Sequence, residues 1–286
     1  MGRPASGTRE WASHSANCVS GCEHGCLYCF ANANARRFAS HSGEWSHEVI
    51  RFPTRKIGRK RGVIMYPTTH DLTPRNADTT IPFLRSLLEA GNQVLVTTKP
   101  HPDVISRILR DLPTHRGQVM FRFTIGSLDS DVLARWEPFA PNAVSRLEAM
   151  AHANVEGWRV SVSAEPLLCS TPDEVGALLQ TCIAFGGLEV WIGLLNHGER
   201  RLRANGHLTS ENARMLADLE AAWTPDAVKN LVARYSYLPV VRWKESIKSI
   251  AGIPLREDSS EGEAWTAHLL DGREWREVPG SADPED

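Results

Sequence analysis

No stretch of this 286-residue chain approaches the ~18 consecutive apolar residues of a membrane span, which removes a spanning helix and a membrane partner from the expected functions. The opening residues, MGRPASGTREWASHSANC, lack the apolar core of a secretory signal. Excess charge is missing as well. With 32 Lys and Arg against 34 Asp and Glu the formal net charge is −2, so the whole molecule has no general attraction to nucleic acid or anionic membrane. Solenoid-type repeats are absent, and cysteines are few: six, with four between Cys18 and Cys29 and the others alone at Cys169 and Cys182. In a chain with no export signal this spacing reads as metal binding and excludes a disulfide framework. The expectation is a cytoplasmic protein of ordinary composition, 42% hydrophobic and 23% charged.

What is present, first, is an alternation. Strand-like runs occupy 62–67, 93–98, 118–125, 158–164 and 188–195, and segments with helical spacing of apolar residues occupy 81–90, 102–112, 142–154 and 173–185. A further strand is expected near 11–17, ahead of the cysteines. Strands alternating with helices over short connections define βαβ units on a mainly parallel sheet. The six strands predict an α/β fold, a partial (β/α)6 barrel; an open doubly wound sheet would leave much the same pattern. Past residue 196 the alternation loosens into helical patterns at 210–222 and 226–235, and 237–250 can supply one more strand and helix. Residues 1–250 are read as the barrel domain and 251–286 as a short C-terminal extension. From Arg256 to Asp286 it holds ten acidic and three basic residues and is expected to be partly disordered.

Second, the cysteines fall in N-C-V-S-G-C-E-H-G-C-L-Y-C-F-A, beginning at Asn17. The spacing Cys22-x3-Cys26-x2-Cys29 lets three thiolates take three corners of one [4Fe-4S] cubane and leaves the fourth iron open. Gly21 and Gly25 permit the tight turns such a loop needs. Other readings compete: a structural zinc site with Cys18 as fourth ligand, a four-cysteine electron-transfer cluster, or unligated thiols. Structural zinc sites pair two separated C-x2-C units, and only one such unit is here. The ferredoxin run of cysteines is not matched either.

With an aromatic residue, Tyr28, just before the third cysteine, this motif resembles the signature of radical S-adenosylmethionine enzymes. The wider run G-C-E-H-G-C-L-Y-C-F-A is similar to the branch containing spore photoproduct lyase. The likeness continues in order through VIMYPTTHDLTP (63–74), VLVTTKP (94–100) and FTIGSLDSDVLARWEPFAPNAVSRLEAM (123–150), over roughly residues 15–200. It implies a [4Fe-4S] cluster whose open iron is chelated by S-adenosyl-L-methionine, reductive cleavage to a 5′-deoxyadenosyl radical, and hydrogen abstraction from a substrate. An electron donor such as flavodoxin or ferredoxin is implied as a partner.

Site residues are then expected at the C-terminal ends of the strands. Asp71 would receive the cofactor's ammonium, or else cap the next helix. Lys99 resembles a lysine that contacts the cofactor carboxylate, and Ser127 lies where the family places a small polar residue near the ribose, although a turn role fits it too. Ser163 and Glu165 end the fifth strand, Glu165 facing ribose hydroxyls or substrate, and Tyr28 and Phe30 would flank the adenine. Photoproduct lyases carry a hydrogen-donor cysteine at the end of the second strand, whereas this chain has Thr69, His70 and Asp71 there. Cys169 could supply a thiol from another side; buried packing is the other reading for it, and the main one for Cys182. Repair of thymine photoproducts is therefore in doubt.

Two basic groups bear on the substrate. Residues 51–61, RFPTRKIGRKR, hold six basic and no acidic residues, and Arg200, Arg201 and Arg203 follow the sixth strand near His197 and His207. Basic loops crowning the barrel mouth would suit nucleic acid or a nucleotide-like substrate; a solvated surface loop is the plainer reading. An iron–sulfur redox or scaffold protein, and a radical enzyme that modifies a partner protein, remain the alternatives.

Overall fold

The computed structural model describes residues 7–53 and 56–255 together with Thr266. Thr54 and Arg55 of the basic loop, and nearly all of the acidic extension (256–265 and 267–286), lie outside the described residues. No helix among the described residues is long and apolar enough to cross a membrane.

Seven strands form one parallel sheet: β1 (His14–Ser15), β4 (Val63–Tyr66), β5 (Gln93–Thr98), β6 (Val119–Thr124), β7 (Arg159–Ala164), β8 (Val190–Ile192) and β9 (Val241–Trp243). A two-stranded antiparallel pair, β2 (Val19–Ser20) and β3 (Val49–Ile50), stands apart. Six of the seven strands fall where the periodicity predicts them, and β9 takes up the optional segment after 237. The helices are α1 (Phe30–Arg37), α2 (Ala77–Glu89), α3 (Pro102–Asp111), α4 (Ser130–Trp136), α5 (Ala143–Val155), α6 (Pro172–Ala184), α7 (Gly198–Asn205), α8 (Ser210–Ala222), α9 (Pro225–Tyr235) and α10 (Glu245–Ala251). Of these, α1, α4 and α7 have no counterpart among the helical segments read from the sequence.

Strand order decides between the two architectures left open. The sheet runs β1-β4-β5-β6-β7-β8-β9 without reversal, whereas a doubly wound sheet turns back at a switch point. Side-chain alternation agrees. One sheet face, with Ile64, Val94, Val96, Phe121, Phe123, Val160 and Val162, joins the helices in the main core. The opposite face gathers Val63, Met65, Leu95, Met120 and Trp191 around Trp11 and Ala12, with no residue from α1 to α10.

That second face is curled. β1 and β8 stand five ladders apart, about 24 Å in a flat sheet at ~4.8 Å per ladder. Yet Trp11, just ahead of β1, meets Trp191 of β8 edge-on at 5.9 Å between ring centroids. The Arg122 guanidinium of β6 lies over both rings, at 4.7 and 5.2 Å. It is fully buried, paired with Glu189, and bonded to Ser161 Oγ at 3.1 Å. The sheet is thus an unclosed trough, and β9 does not pair with β1. The N-terminal turn Gly7–Glu10 spans that gap. Lys244, after β9, donates to the Gly7 carbonyl and to Glu10 at 2.9 Å each, and the Glu245 amide donates to Glu10 at 2.9 Å.

Candidate active site

The cysteine loop crosses the C-terminal end of the trough, and its shape follows from a few local constraints. Gly21 has φ +99° and Gly25 φ +62°, as the turn argument requires. A Cβ on Gly21 would stand 2.8 Å from the carbonyl oxygens of both Trp45 and His47, so the loop's entry closes against the segment before β3 only with glycine there. The Cys22 amide then bonds the Trp45 carbonyl at 2.8 Å. Farther on, Leu27 N donates to Trp136 O at 3.0 Å, and Cys29 caps α1 by accepting from the Asn32 amide at 3.4 Å.

The loop's other fastening comes from α7. Asn205, 178 residues away, donates to the carbonyls of Leu27 at 2.9 Å and Cys29 at 3.0 Å. Asn17 does similar work at the neighbouring turn, accepting from the Thr68 and Thr69 amides at 2.8 and 2.9 Å. Nothing in the spacing of either asparagine marks it as a clamp. Asn205→Ala is expected to destabilise the fold by about 1–3 kcal/mol, since two buried carbonyls lose their donor. Thermal unfolding of the variant measures this, and a midpoint equal to wild type would show the clamp to be idle.

Cys22, Cys26 and Cys29 are half-buried, but protein crowds all three thiols. Burial is the first cause that raises each above the ordinary thiol value: Cys26 to about 12, Cys22 well upward with Asp71 and the other two cysteines adding to it, Cys29 less far. As free thiols they are protonated at neutral pH, so a metal centre must displace their protons to bind. Among the described residues no three His, Cys, Asp or Glu side chains are grouped as around a single metal ion. Thiols serving different corners of a cubane stand farther apart than ligands of one ion, and three thiols are the donor type that a [4Fe-4S] cluster takes.

Cys18 is separate. Its buried thiol contacts the Tyr66 hydroxyl at 3.3 Å, and burial raises it to about 11. The fourth zinc ligand imagined from the sequence is therefore engaged in the core.

Lys99 closes the pocket from β5. Burial alone would lower its pKa, but Cys26, Glu137 and Asp71 outweigh it and hold the ammonium charged. That ammonium lies 5.8 Å from the centre of the Tyr28 ring, and among the described residues it has no hydrogen bond or ion pair. Tyr28 is buried and donates to Glu137, which pairs with the buried Arg146; Arg146 also donates to the carbonyls of Thr124 at 3.0 Å and Pro141 at 2.7 Å. Phe30, by contrast, is 42% exposed at the start of α1.

Asp71 is buried and heavily engaged. It accepts from the Leu72 amide at 2.8 Å, from the Lys99 amide at 3.1 Å and from the Thr98 hydroxyl, and His24 approaches at 3.3 Å. Burial pushes its carboxyl up, but His24, Lys99 and these bonds outweigh it and hold the group well below the usual carboxylate range. His24 in turn meets His101, Nε2 to Nε2, at 2.9 Å. The neighbouring His70 is buried between the Cys18 amide and the Asp71 carbonyl, and burial lowers its pKa.

Ser163 is buried at the end of β7, on the trough side opposite Trp191 in register. Glu165 follows, 3.4 Å from Lys244. Arg201 of α7 reaches the same region: burial lowers its pKa, with Glu165, Cys29 and Tyr28 acting against that. Ser127 and Cys169 form a second group. Ser127 Oγ accepts from the Asp129 amide at 3.0 Å, a turn bond, and the Cys169 thiol reaches the Gly126 carbonyl at 3.6 Å while its own carbonyl accepts from Trp223 at 2.8 Å. Burial first, then Glu174, raises the Cys169 thiol to about 12.

The described part of the basic stretch 51–61, which would suit a polyanion if it lay beside the active rim, divides between the two ends of the trough. Arg51 does bond the Cys18 carbonyl at 2.8 Å, but the Lys60 amide bonds Asn92 at 2.7 Å and the Arg61 carbonyl meets His14 at 2.9 Å. Asn92 and His14 sit at the N-terminal ends of β5 and β1, the end of the trough opposite the cysteines. Charge density along a sequence does not reveal which end of a strand a loop serves.

A parallel, unclosed trough with a three-cysteine loop at its C-terminal rim has the partial-barrel fold of radical S-adenosylmethionine enzymes. Two solved structures share it: spore photoproduct lyase complexed with dinucleoside spore photoproduct (13% identity, 81% of this chain and 76% of that one, TM-score 0.50), and Streptococcus suis SuiB bound to precursor peptide SuiA (11% identity, 88% of this chain and 55% of that one, TM-score 0.52). Both are radical S-adenosylmethionine enzymes. No family model and no curated protein matches the chain.

Proposed function

We propose that the chain is a radical S-adenosylmethionine enzyme in which Cys22, Cys26 and Cys29 hold a [4Fe-4S] cluster. The observation that carries this reading is the grouping of three desolvated thiols with the Lys99 ammonium, which has no hydrogen bond or ion pair among the described residues, at the C-terminal rim of a partial barrel. When bound, the cluster and S-adenosylmethionine supply the electron transfer and the carbon-centred radical that abstracts hydrogen. The chain's own residues bind, orient and shield.

Lys99 offers one positive charge in a desolvated pocket, where a cofactor carboxylate gains most from it. Asp71 grips the Lys99 amide and the Thr98 hydroxyl, which fixes the direction from which that ammonium enters. Through Glu137 and Arg146, Tyr28 locks the aromatic wall beneath it. Ser163, Glu165 and Arg201 offer polar contacts on the β7 and β8 side, for ribose hydroxyls or substrate. Phe30 and Tyr28 are the aromatic residues available to an adenine, Ser127 a hydroxyl near a ribose, and Cys169 a buried thiol whose access to a substrate needs movement of the 126–129 turn. The substrate in this reading is nucleic acid or nucleotide-like.

Anaerobic reconstitution with iron and sulfide, then dithionite and S-adenosylmethionine, tests the proposal. 5′-Deoxyadenosine is the expected product. Its absence from protein carrying four irons would leave a redox or scaffold role, and zinc in place of iron would overturn the assignment. Lys99→Ala is expected to weaken cofactor binding about ten- to hundredfold, the loss of one charge-assisted contact, while iron content stays at the wild-type level. Calorimetric titration of the reconstituted variant with S-adenosylmethionine reads this directly. Unchanged affinity would remove Lys99 from the cofactor site.

A further inference from the structure

The pairing of α1 with α7 gathers arginines that the sequence keeps more than 160 residues apart. Arg36 and Arg37 lie in the last turn of α1, and Arg200 and Arg203 on the outer side of α7; all four are exposed. The two helices are packed together, so the Arg36 guanidinium comes within 3.9 Å of the Cβ position at Gly206, just past α7. Glu199 is the sole carboxylate on either helix, and Arg203 takes it at 2.6 Å. Arg36, Arg37 and Arg200 have no ion pair among the described residues; Arg36 bonds Asn32 at 3.3 Å and Arg37 lies over the Phe38 ring at 5.2 Å. Ordinary soluble surfaces intersperse the two signs of charge, whereas these two helices set four exposed arginines against one carboxylate. Exposed aromatics flank it: Phe38 at 67% and Phe30 at 42%.

This ridge is joined to the pocket by α7 itself. On the helix's other side Arg201 and Asn205, one turn apart, face the cysteine loop, Asn205 through its bonds to Leu27 and Cys29. A ligand lying along the outer arginines would therefore deliver a segment to the rim where Arg201 turns inward.

We propose that the α1–α7 ridge is a docking surface for the phosphodiester backbone of a single-stranded nucleic acid. The inference rests on the reading of the adjoining pocket as an active site. Arginine suits it because the guanidinium fork grips phosphate oxygens with two bonds, and exposed phenylalanines suit it because unpaired bases stack on them. The far-end cluster, Arg59 to Arg61, takes no part.

The test is fluorescence anisotropy with the full chain, a short labelled single-stranded oligonucleotide and, as competitor of equal charge, polyglutamate. Wild type should bind the oligonucleotide with a steep salt dependence. Arg36→Ala/Arg37→Ala/Arg200→Ala should lose at least about tenfold in affinity at ~0.1 M salt and flatten the log–log salt slope by about 2, at ~0.7 per phosphate contact. Circular dichroism checks that the variant folds, and Arg59→Ala/Lys60→Ala/Arg61→Ala should bind as wild type does. The proposal is overturned by no binding to wild type, by equal binding of the ridge variant, or by polyglutamate competing as well as unlabelled oligonucleotide, which would assign the ridge to an acidic polypeptide. Iron content and 5′-deoxyadenosine yield without substrate are measured in parallel and should not change. If those two fail in wild type while oligonucleotide binding holds, the enzyme reading fails and the ridge stands.

Discussion

Replacing Cys22, Cys26 or Cys29 with alanine, one at a time, is expected to leave folded protein that retains no [4Fe-4S] cluster and forms no 5′-deoxyadenosine. Cys18→Ala should keep both. The asymmetry follows from where the thiols stand. Cys22, Cys26 and Cys29 influence one another's ionisation and are partly accessible, while Cys18 is fully buried against Tyr66. With only three ligands, loss of one leaves a second iron without a protein anchor. Cys29 has a second task, as cap of α1, and its alanine variant should also lose about 1 kcal/mol of stability. Cys29→Ser keeps an acceptor for the Asn32 amide and so separates the two tasks. Iron and acid-labile sulfide per chain are the quantities to measure. Iron held by any of the three alanine variants, or lost with Cys18→Ala, would refute the ligand set.

Arg146→Met is expected to bring the largest loss of stability, about 3–5 kcal/mol, because it strands the Glu137 carboxylate in the core. A domain of this kind has only about 5–15 kcal/mol in total. In the native protein burial would raise the Glu137 pKa, but Arg146, Lys99 and Tyr28 outweigh that and depress it. A depressed carboxylate stabilises the fold above its unfolded value of about 4.3 and loses that contribution as pH falls through the folded value. Without Arg146 the sign reverses: the stranded charge is relieved by protonation, so the deficit of the variant should be smaller at about pH 5 than at about pH 8. Urea midpoints at the two pH values measure it. Glu137→Gln/Arg146→Met removes both charges and should recover much of the loss. A single variant as stable as wild type would mean that the pair carries no structural weight.

Much of this architecture was legible because it depends on local repetition. Apolar runs such as QVLVTT and VMFRFT, covered on both faces, announce buried parallel strands, and the cysteine triplet and Lys99 stand out by short spacing and by position at a strand end. What the sequence could not show depends on contacts that span the chain. Nothing in the sequence distinguishes Asn205 from other polar residues; only the meeting of α7 with α1 makes it the holder of the cysteine loop. Asp71, expected either to face the cofactor or to cap a helix, does not cap α2, whose cap is Asn76; it is tied to backbone and to His24, which the sequence did not mark. The choice between barrel and doubly wound sheet turned on strand order, which the βαβ pattern leaves undetermined. The described part of 51–61 reaches both ends of the sheet, from Cys18 to Asn92 and His14, which its charge pattern does not reveal.

The turn Gly7–Glu10 has a temporal meaning. Its partners, Lys244 and Glu245, are 237 and 235 residues downstream of Gly7 and Glu10, so the two margins of the trough stay untied until Glu245 has left the ribosome. Asn205, which secures the cysteine loop, also emerges late. Contacts between such distant segments form slowly, because a long loop must close before they return any energy. On the proposed assignment of Cys22, Cys26 and Cys29, a cluster would be held securely only after α7 has been synthesised.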